Sequence, residues 1–292
     1  MKFNTMFVVL IGMLVGCQQS SNQTVETETV TAQDSETDSL NSLWSDRIVV
    51  PGFGSILDSN EVEGSVLFYD VQRGKWLSNN FEWAEKRRLP ASTFKIVNSI
   101  IGLETGKVSI GKTEFEWDGK PRQLKQWERD FDLKGAFHAS CVPCYQDLAR
   151  RIGVKYMKNY LDTFHYGNMI VDTTSIDVFW LEGESGVSQI EQINFLRAFY
   201  NNELPIKART TTAMKSLMVI DQNDAYTLSG KTGWSIRNGN NNGCFVGYIE
   251  QGENLFFFAT NVTPSSSFNM DLFPKIRSEV TMKAFAMLQG FK

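Results

Sequence analysis

The chain has 292 residues, 42 % of them hydrophobic and 12 % aromatic, and a formal net charge of −4. That is enough apolar material for one large domain or two small ones, and it excludes a chain disordered along its bulk. Without a stripe of Lys and Arg a nucleic-acid partner is not expected, and two histidines, His138 and His165, leave little room for a His-rich metal site or a Ser-His-Asp triad.

The first residues read as an export signal. Lys2 supplies a positive start, and Met6 to Gly16 form an apolar run too short to span a bilayer comfortably. The run ends in Leu14-Val15-Gly16-Cys17, the pattern of a bacterial lipoprotein signal in which cleavage leaves Cys17 lipidated. An ordinary secretory signal with a chance cysteine is the alternative. On the lipoprotein reading the protein is exported to the periplasm and meets the membrane only through its lipid. Residues 17–42 are polar and acidic with almost nothing apolar, so they cannot offset the cost of their own ordering and read as a flexible tether. The globular domain is expected over residues 43–292.

Gly64 to Asp70 and Lys75 to Ser78 predict a hairpin about the turn Val71-Gln72-Arg73-Gly74. Apolar residues at helical spacing predict one helix over Ala91 to Leu103, stopped by Gly106, and two more over Tyr145 to Met157 and Gln189 to Tyr200. Tyr226 to Trp234, Gly243 to Glu250 and Asn254 to Asn261 read as consecutive strands, the last buried on both faces. Leu272 to Leu288 reads as a closing amphipathic helix. Strands at both ends with helices between predict an α+β fold. Its antiparallel sheet is assembled from the two chain ends and flanked by helices, with a helical subdomain from about Leu103 to Met214.

Two motifs carry chemistry. In Ser92-Thr93-Phe94-Lys95, an S-x-x-K at a helix start, one helical turn sets Ser92 and Lys95 on the same face. A serine hydroxyl needs a base beside it, and a lysine serves only where burial suppresses its charge; Ile96, Val97, Ile100 and Ile101 supply such a setting. The N–H groups of the helix start also point where an oxyanion would form. The second motif, Lys231-Thr232-Gly233, follows a strand-like run and offers a fixed positive charge, a hydroxyl donor, and a residue with no side chain along which a substrate could lie. Either motif alone has a bland explanation, a capped helix or a strand end. The ordered pair is the pattern of serine β-lactamases and penicillin-binding proteins.

The sequence resembles the class D, oxacillinase-type β-lactamases from about Leu43 to its C-terminus. Leu89-Pro90-Ala91-Ser92-Thr93-Phe94-Lys95 resembles the nucleophile segment of that family. Phe115-Glu116-Trp117-Asp118-Gly119 and Trp127-Glu128-Arg129-Asp130 resemble the stretches before its second motif. Ser140-Cys141-Val142 matches S-x-V, Tyr166-Gly167-Asn168 matches Y-G-N, and Phe179-Trp180-Leu181 carries the family tryptophan. Pro274-Lys275-Ile276-Arg277 places an arginine where the family binds the β-lactam carboxylate. The resemblance implies that Ser92 is acylated, and that Lys95 is N-carboxylated by CO2 or bicarbonate and acts as general base. No diffusible cofactor would be needed. It implies that Trp180 hydrogen-bonds the carboxylated lysine, that Val142 packs over it, and that Ser140 relays a proton to the lactam nitrogen. The oxyanion hole would be the N–H groups of Ser92 and Trp234, and Lys231, Thr232 and Arg277 would grip the substrate carboxylate. As a monomer or homodimer, the protein would act on a small β-lactam.

Rival readings exist for several of these residues. Trp180 could be core alone, Tyr166-Gly167-Asn168 a turn alone, and Arg277 a surface ion pair. Class A enzymes pair S-x-x-K with S-D-N and a deacylating glutamate; S-D-N is absent, and Glu191-Gln192-Ile193-Asn194 sits in a helical run where Glu191 is expected to face solvent. Cys141-Val142-Pro143-Cys144 departs from the family pattern. It reads as a disulfide, as two buried thiols, or with His138 and one of His165 or Cys244 as a zinc site, the last least favoured by its spacing. A β-lactam sensor domain would acylate at the same serine but deacylate poorly, and is expected behind membrane spans and an H-E-x-x-H region, neither of which the sequence contains. A transpeptidase would bring extra domains and lack the family tryptophan, and a structural lipoprotein has no use for this ordered set.

Overall fold

The computed structural model describes residues 46–290; the export signal, the lipidated Cys17 and the tether assigned above lie outside the described residues. The chain enters through β1 (Arg47–Val49) and α1 (Pro51–Asp58). The hairpin β2 (Val62–Asp70) and β3 (Lys75–Ser78) follows, then α2 (Phe81–Glu85). A 3-10 turn over Ala91–Phe94 leads directly into α3 (Lys95–Glu104). The middle holds a small ladder of β4 (Thr113–Phe115) with β5 (Phe131–Asp132), then α4 (Leu133–His138), α5 (Val142–Ile152), α6 (Val154–Thr163), α7 (Gln189–Tyr200) and α8 (Ala208–Met218). The chain returns through β6 (Val219–Gln222), β7 (Thr227–Arg237), β8 (Asn240–Gln251) and β9 (Asn254–Pro264), and closes with α9 (Phe273–Gln289).

The main sheet has seven strands in the order β1-β3-β2-β9-β8-β7-β6, antiparallel except for the β1–β3 pair. Both chain ends therefore contribute to one sheet, as the element order predicted. β9 joins the halves, with Val66 of β2 opposite Thr260. Its apolar run serves two cores. Phe256, Phe258 and Val262 pack with Phe53 and Leu57 of α1 and with Val280 and Phe285 of α9, while Phe257 and Ala259 pack against the helical middle. A strand buried on both faces has no polar face to alternate with, which is why the run is continuous.

The hairpin and α7 stand at the predicted residues. The serine at the N-cap of α7, Ser188, accepts from Glu191 N–H while the Glu191 carboxylate accepts from Ser188 N–H, a reciprocal cap that fixes the helix start. Three expectations change. The single helix over 91–103 is a 3-10 turn followed by an α-helix, and the one over 145–157 is two helices. α5 stops at Gly153, whose φ of 80° continues no helix, and α6 starts again from it. The helical middle runs on to Met218 rather than Met214. The short elements α1, α2, α4, β1, β4, β5 and β6 carry too little periodicity to be read in advance.

Candidate active site

Ser92 sits in the 3-10 turn, and that turn, more than the α-helix after it, sets its relation to Lys95. Side chains at i and i+3 eclipse in 3-10 geometry. Lys95 Nζ donates to Ser92 Oγ at 2.9 Å, and the Lys95 side chain is wholly buried. Burial holds its ammonium well below the usual lysine pKa, and the positive charge of Lys231 adds to the effect. A neutral amine at this distance can also take the hydroxyl proton. The turn is held from both sides. Ala91, at a φ of 51°, donates its N–H to Trp180 O at 2.9 Å, and the N–H of Thr93 bonds Pro90 O at 3.1 Å. A non-glycine residue in the left-handed region survives only where its neighbours over-determine it.

Lys231-Thr232-Gly233 lies on β7 where that strand is unpaired on one side, because β6 reaches only Thr227 to Ser229. A Cβ added to Gly233 would lie 2.8 Å from Pro90 O and 3.2 Å from Ser92 N. The glycine is thus required because β7 packs directly on the Ser92 turn. This packing reason stands beside the expectation that a substrate could lie along the strand at Gly233. Lys231 Nζ donates to Ser140 Oγ at 3.1 Å and to Thr232 O at 3.0 Å. Burial pulls the Lys231 pKa down to about 7, helped by the charge of Arg277. Ser140 stands between α4 and α5 with a φ of 51°.

Arg277 is buried in α9 rather than paired at the surface. Its Nη1 donates to Gly233 O at 2.5 Å and its Nη2 to Pro274 O at 2.7 Å, while Nε has no partner. Burial lowers its pKa to about 10, which leaves it protonated at neutral pH. Lys231, Thr232 and Arg277 thus bring a titratable amine, a hydroxyl and a guanidinium to one stretch of β7. A cavity of about 450 Å³ opens along this edge, lined by Gly230, Lys231 and Thr232 together with Phe137, His138 and Tyr226. Trp234, next on the strand, is partly exposed and donates its indole N–H to Asn241 Oδ1 at 2.9 Å.

Trp180 is part of the core. Its ring stacks on Phe94 at 5.4 Å and meets Phe179 edge-on at 5.1 Å, but its buried indole N–H has no hydrogen-bond partner. Such an orphan donor is costly unless an acceptor completes it. Val142 is the first residue of α5 and packs, partly buried, on the helical core. Tyr166 is buried and donates its phenolic O–H to Gln192 Oε1 at 3.3 Å, and Asn168 pairs with Gly186, so Y-G-N is a structural turn. Glu191 is taken up by the α7 cap and by Arg87, at 2.9 Å from its Nε, which leaves no deacylating glutamate there.

Cys141 and Cys144 form a disulfide, with Cα atoms 5.4 Å apart. Among the described residues no group of three or more His, Cys, Asp or Glu could hold a metal, and Cys244 is a buried free thiol. Two contributors carried no signal in the sequence. The Tyr145 ring lies 5.1 Å from Lys95 Nζ, and Gln192 Oε1 accepts from the hydroxyls of both Thr93 and Tyr166. Both look like ordinary members of helical runs.

The penicillin-binding protein transpeptidase domain family matches residues 59–272. Beta-lactamase OXA-48 of Klebsiella pneumoniae is 38 % identical over 218 residues, which cover 75 % of this chain and 82 % of that protein. The crystal structure of a class D β-lactamase from Sebaldella termitidis superposes with a TM-score of 0.79 at 36 % identity, covering 83 % of this chain and 98 % of the other. The regulatory protein BlaR1 of Bacillus licheniformis is 33 % identical over 211 residues, 72 % of this chain but 35 % of that longer protein. With the Ser92 turn packed against the Lys231-Thr232-Gly233 strand, the chain belongs to the class D serine β-lactamases.

Proposed function

We propose that the protein hydrolyses β-lactams through an acyl-enzyme on Ser92, with Lys95 in its N-carboxylated form as general base. The observation that carries this is the 2.9 Å contact between Lys95 Nζ and Ser92 Oγ inside a fully buried site that disfavours the charged amine. Carboxylation needs a neutral amine, and the orphan indole N–H of Trp180 suits the added oxygens. When present, the carboxylate supplies a stronger base than the amine.

The chain's own groups do the rest. Lys231, Thr232 and Arg277 bind the substrate carboxylate, Arg277 through the N–H groups that its bonds to Gly233 O and Pro274 O leave over. The Ser92 hydroxyl gives its proton to the base as its oxygen bonds the lactam carbonyl carbon. The N–H groups of Ser92 and Trp234 receive the charge that develops on the carbonyl oxygen. As the C–N bond breaks, Ser140 passes a proton to the nitrogen and is resupplied through Lys231, 3.1 Å away. The proton the base took from Ser92 makes good the one Lys231 has given up, which frees the base. The freed base then deprotonates a water as the water oxygen attacks the ester carbonyl, and returns that proton to Ser92 Oγ as the ester C–O bond breaks.

The test is hydrolysis of a chromogenic cephalosporin in degassed buffer with and without bicarbonate. Turnover that falls without bicarbonate and returns with it supports the reading, and Ser92→Ala and Lys95→Ala each abolish turnover. Near-normal rates in either variant would sink it. The similarity to BlaR1 supports a second reading, a receptor that acylates and stays acylated; one stoichiometric burst without turnover would establish that instead. We also propose, from the sequence alone, that the protein is exported and anchored through a lipid on Cys17, as a monomer or homodimer. Incorporation of labelled palmitate that survives Cys17→Ala would refute the anchor.

A further inference from the structure

Ser140 occupies a joint. α4 ends at His138 and α5 starts at Val142, so Ala139, Ser140 and Cys141 alone make the turn. Trp127 donates its indole N–H to Ala139 O at 3.0 Å, and Cys141 N–H donates to Ala136 O at 2.9 Å. Within this joint Ser140 holds a φ of 51°, a conformation that needs support from outside the residue. Cys141 is the N-cap of α5, and its Sγ accepts from Cys144 N–H at 3.3 Å. Sulfur is a weak acceptor and cysteine a poor capping residue. Here the covalent bond to Cys144 closes the first turn in place of a strong capping hydrogen bond.

We propose that the Cys141–Cys144 disulfide is a positioning device for Ser140, holding its hydroxyl at Lys231 for proton delivery. The inference rests on the role given to Ser140 above. A bridge between residues three apart restricts the unfolded chain very little, so its effect is local rather than on global stability. The same turn of α5 carries Tyr145, whose ring lies under Lys95, so the bridge anchors the segment that faces both halves of the S-x-x-K and K-T-G pair. The two cysteines also help line a surface pocket of about 430 Å³ with Trp117, Trp127, Arg129 and Pro143, a pocket that includes neither Ser92 nor Ser140. Both cysteines are buried at its floor, Cys141 more deeply than Cys144, so the reductant has to be a small dithiol. Reduction would break the S–S bond, with two electrons and two protons passing from the dithiol, which closes to its own disulfide, to give two thiols.

The experiment follows the rate of Ser92 acylation by a fluorescent penicillin, with the thermal midpoint recorded alongside. It compares the oxidised protein, the dithiol-treated protein and Cys141→Ala/Cys144→Ala, each with Ser140 intact and with Ser140→Ala. Opening the bridge should slow acylation about tenfold where Ser140 is present and leave the Ser140→Ala background within about twofold; reoxidation should restore the rate. An equal loss in both backgrounds, or none in either, would overturn the proposal. Should the double cysteine variant not fold, the reduced protein gives the comparison; should thiol titration show that the bridge resists reduction, the variant gives it. Acylation is common to a hydrolase and a receptor, so failure of turnover does not disturb the result. Absence of labelling in the oxidised protein would count against the Ser92 reading itself, before any bridge is opened.

Discussion

Lys231 reaches from the edge of β7 to the hydroxyl of Ser140, 3.1 Å away, and joins the sheet to the helical middle across the site. If that bond carries the proton to the leaving nitrogen, Ser140→Ala should lower kcat/KM about a hundredfold while moving the thermal midpoint by only a few degrees. Steady-state kinetics with a penicillin, beside a melting curve, checks both. A loss of activity matched by collapse of the fold would make the residue structural.

The same lysine makes stability depend on pH. Its folded pKa of about 7 lies below the ordinary 10.5, and Lys95 is lowered too. Between these values the unfolded chain holds a proton that the folded chain has released, so unfolding free energy rises with pH across the window. Below pH 7 both states hold the Lys231 proton and its contribution to the slope vanishes. Urea titrations at pH 7, 8 and 9 should show the rise, and Lys231→Gln should make it shallower, by at most about 1.4 kcal/mol per pH unit. An unchanged slope in the variant would place the lysine's folded pKa near its unfolded one.

Gly233 allows no replacement. A side chain there meets Pro90 O and Ser92 N–H, both backbone, so neither neighbour can turn aside. Gly233→Val should cost acylation at least tenfold through misplacement of the Ser92 turn, with the far ends of the sheet unaffected. Stopped-flow acylation gives the rate, and amide exchange in β2 and β9 shows whether the damage stays local.

Trp180→Phe keeps the stack on Phe94 and removes the unpaired indole N–H. Turnover should then need far more bicarbonate for half-maximal rate, because the added group loses a buried donor. An identical bicarbonate dependence in the variant would assign Trp180 to packing alone.

What could be read in advance was what short stretches of chain decide. The α7 helix has its cap and its apolar spacing within itself, and the buried run of β9 states its own environment. That Ser92 would meet Lys95 could be read from the S-x-x-K spacing, and Ser140, which meets Lys231, came from the resemblance. The rest depends on partners distant in sequence. A 3-10 turn and an α-helix share nearly the same spacing over four residues, so the Ser92 turn looked like the first turn of α3. The meaning of Gly233 lies in Pro90 and Ser92, on another element. The cysteine pair left a bridge, free thiols or a metal open, and the geometry at the start of α5 decided for the bridge. For Arg277 the resemblance named a carboxylate ligand while its spacing fitted a surface ion pair equally well, and only α9 carries it inward to Gly233 O.

One property of the sheet reaches beyond the site. Val66 finds its partner, Thr260, roughly two hundred residues later in the chain. On the ribosome, the hairpin of β2 and β3 must therefore wait, with its interior edge open, until almost the whole polypeptide has been made. Closing so long a loop is entropically slow, and an open strand edge is a template for mispairing in the meantime. Shortening the gene from its 3′ end by even the last two strands would not yield a smaller, weaker protein; it would leave the nascent product without a partner for β2, and a target for chaperones and proteases.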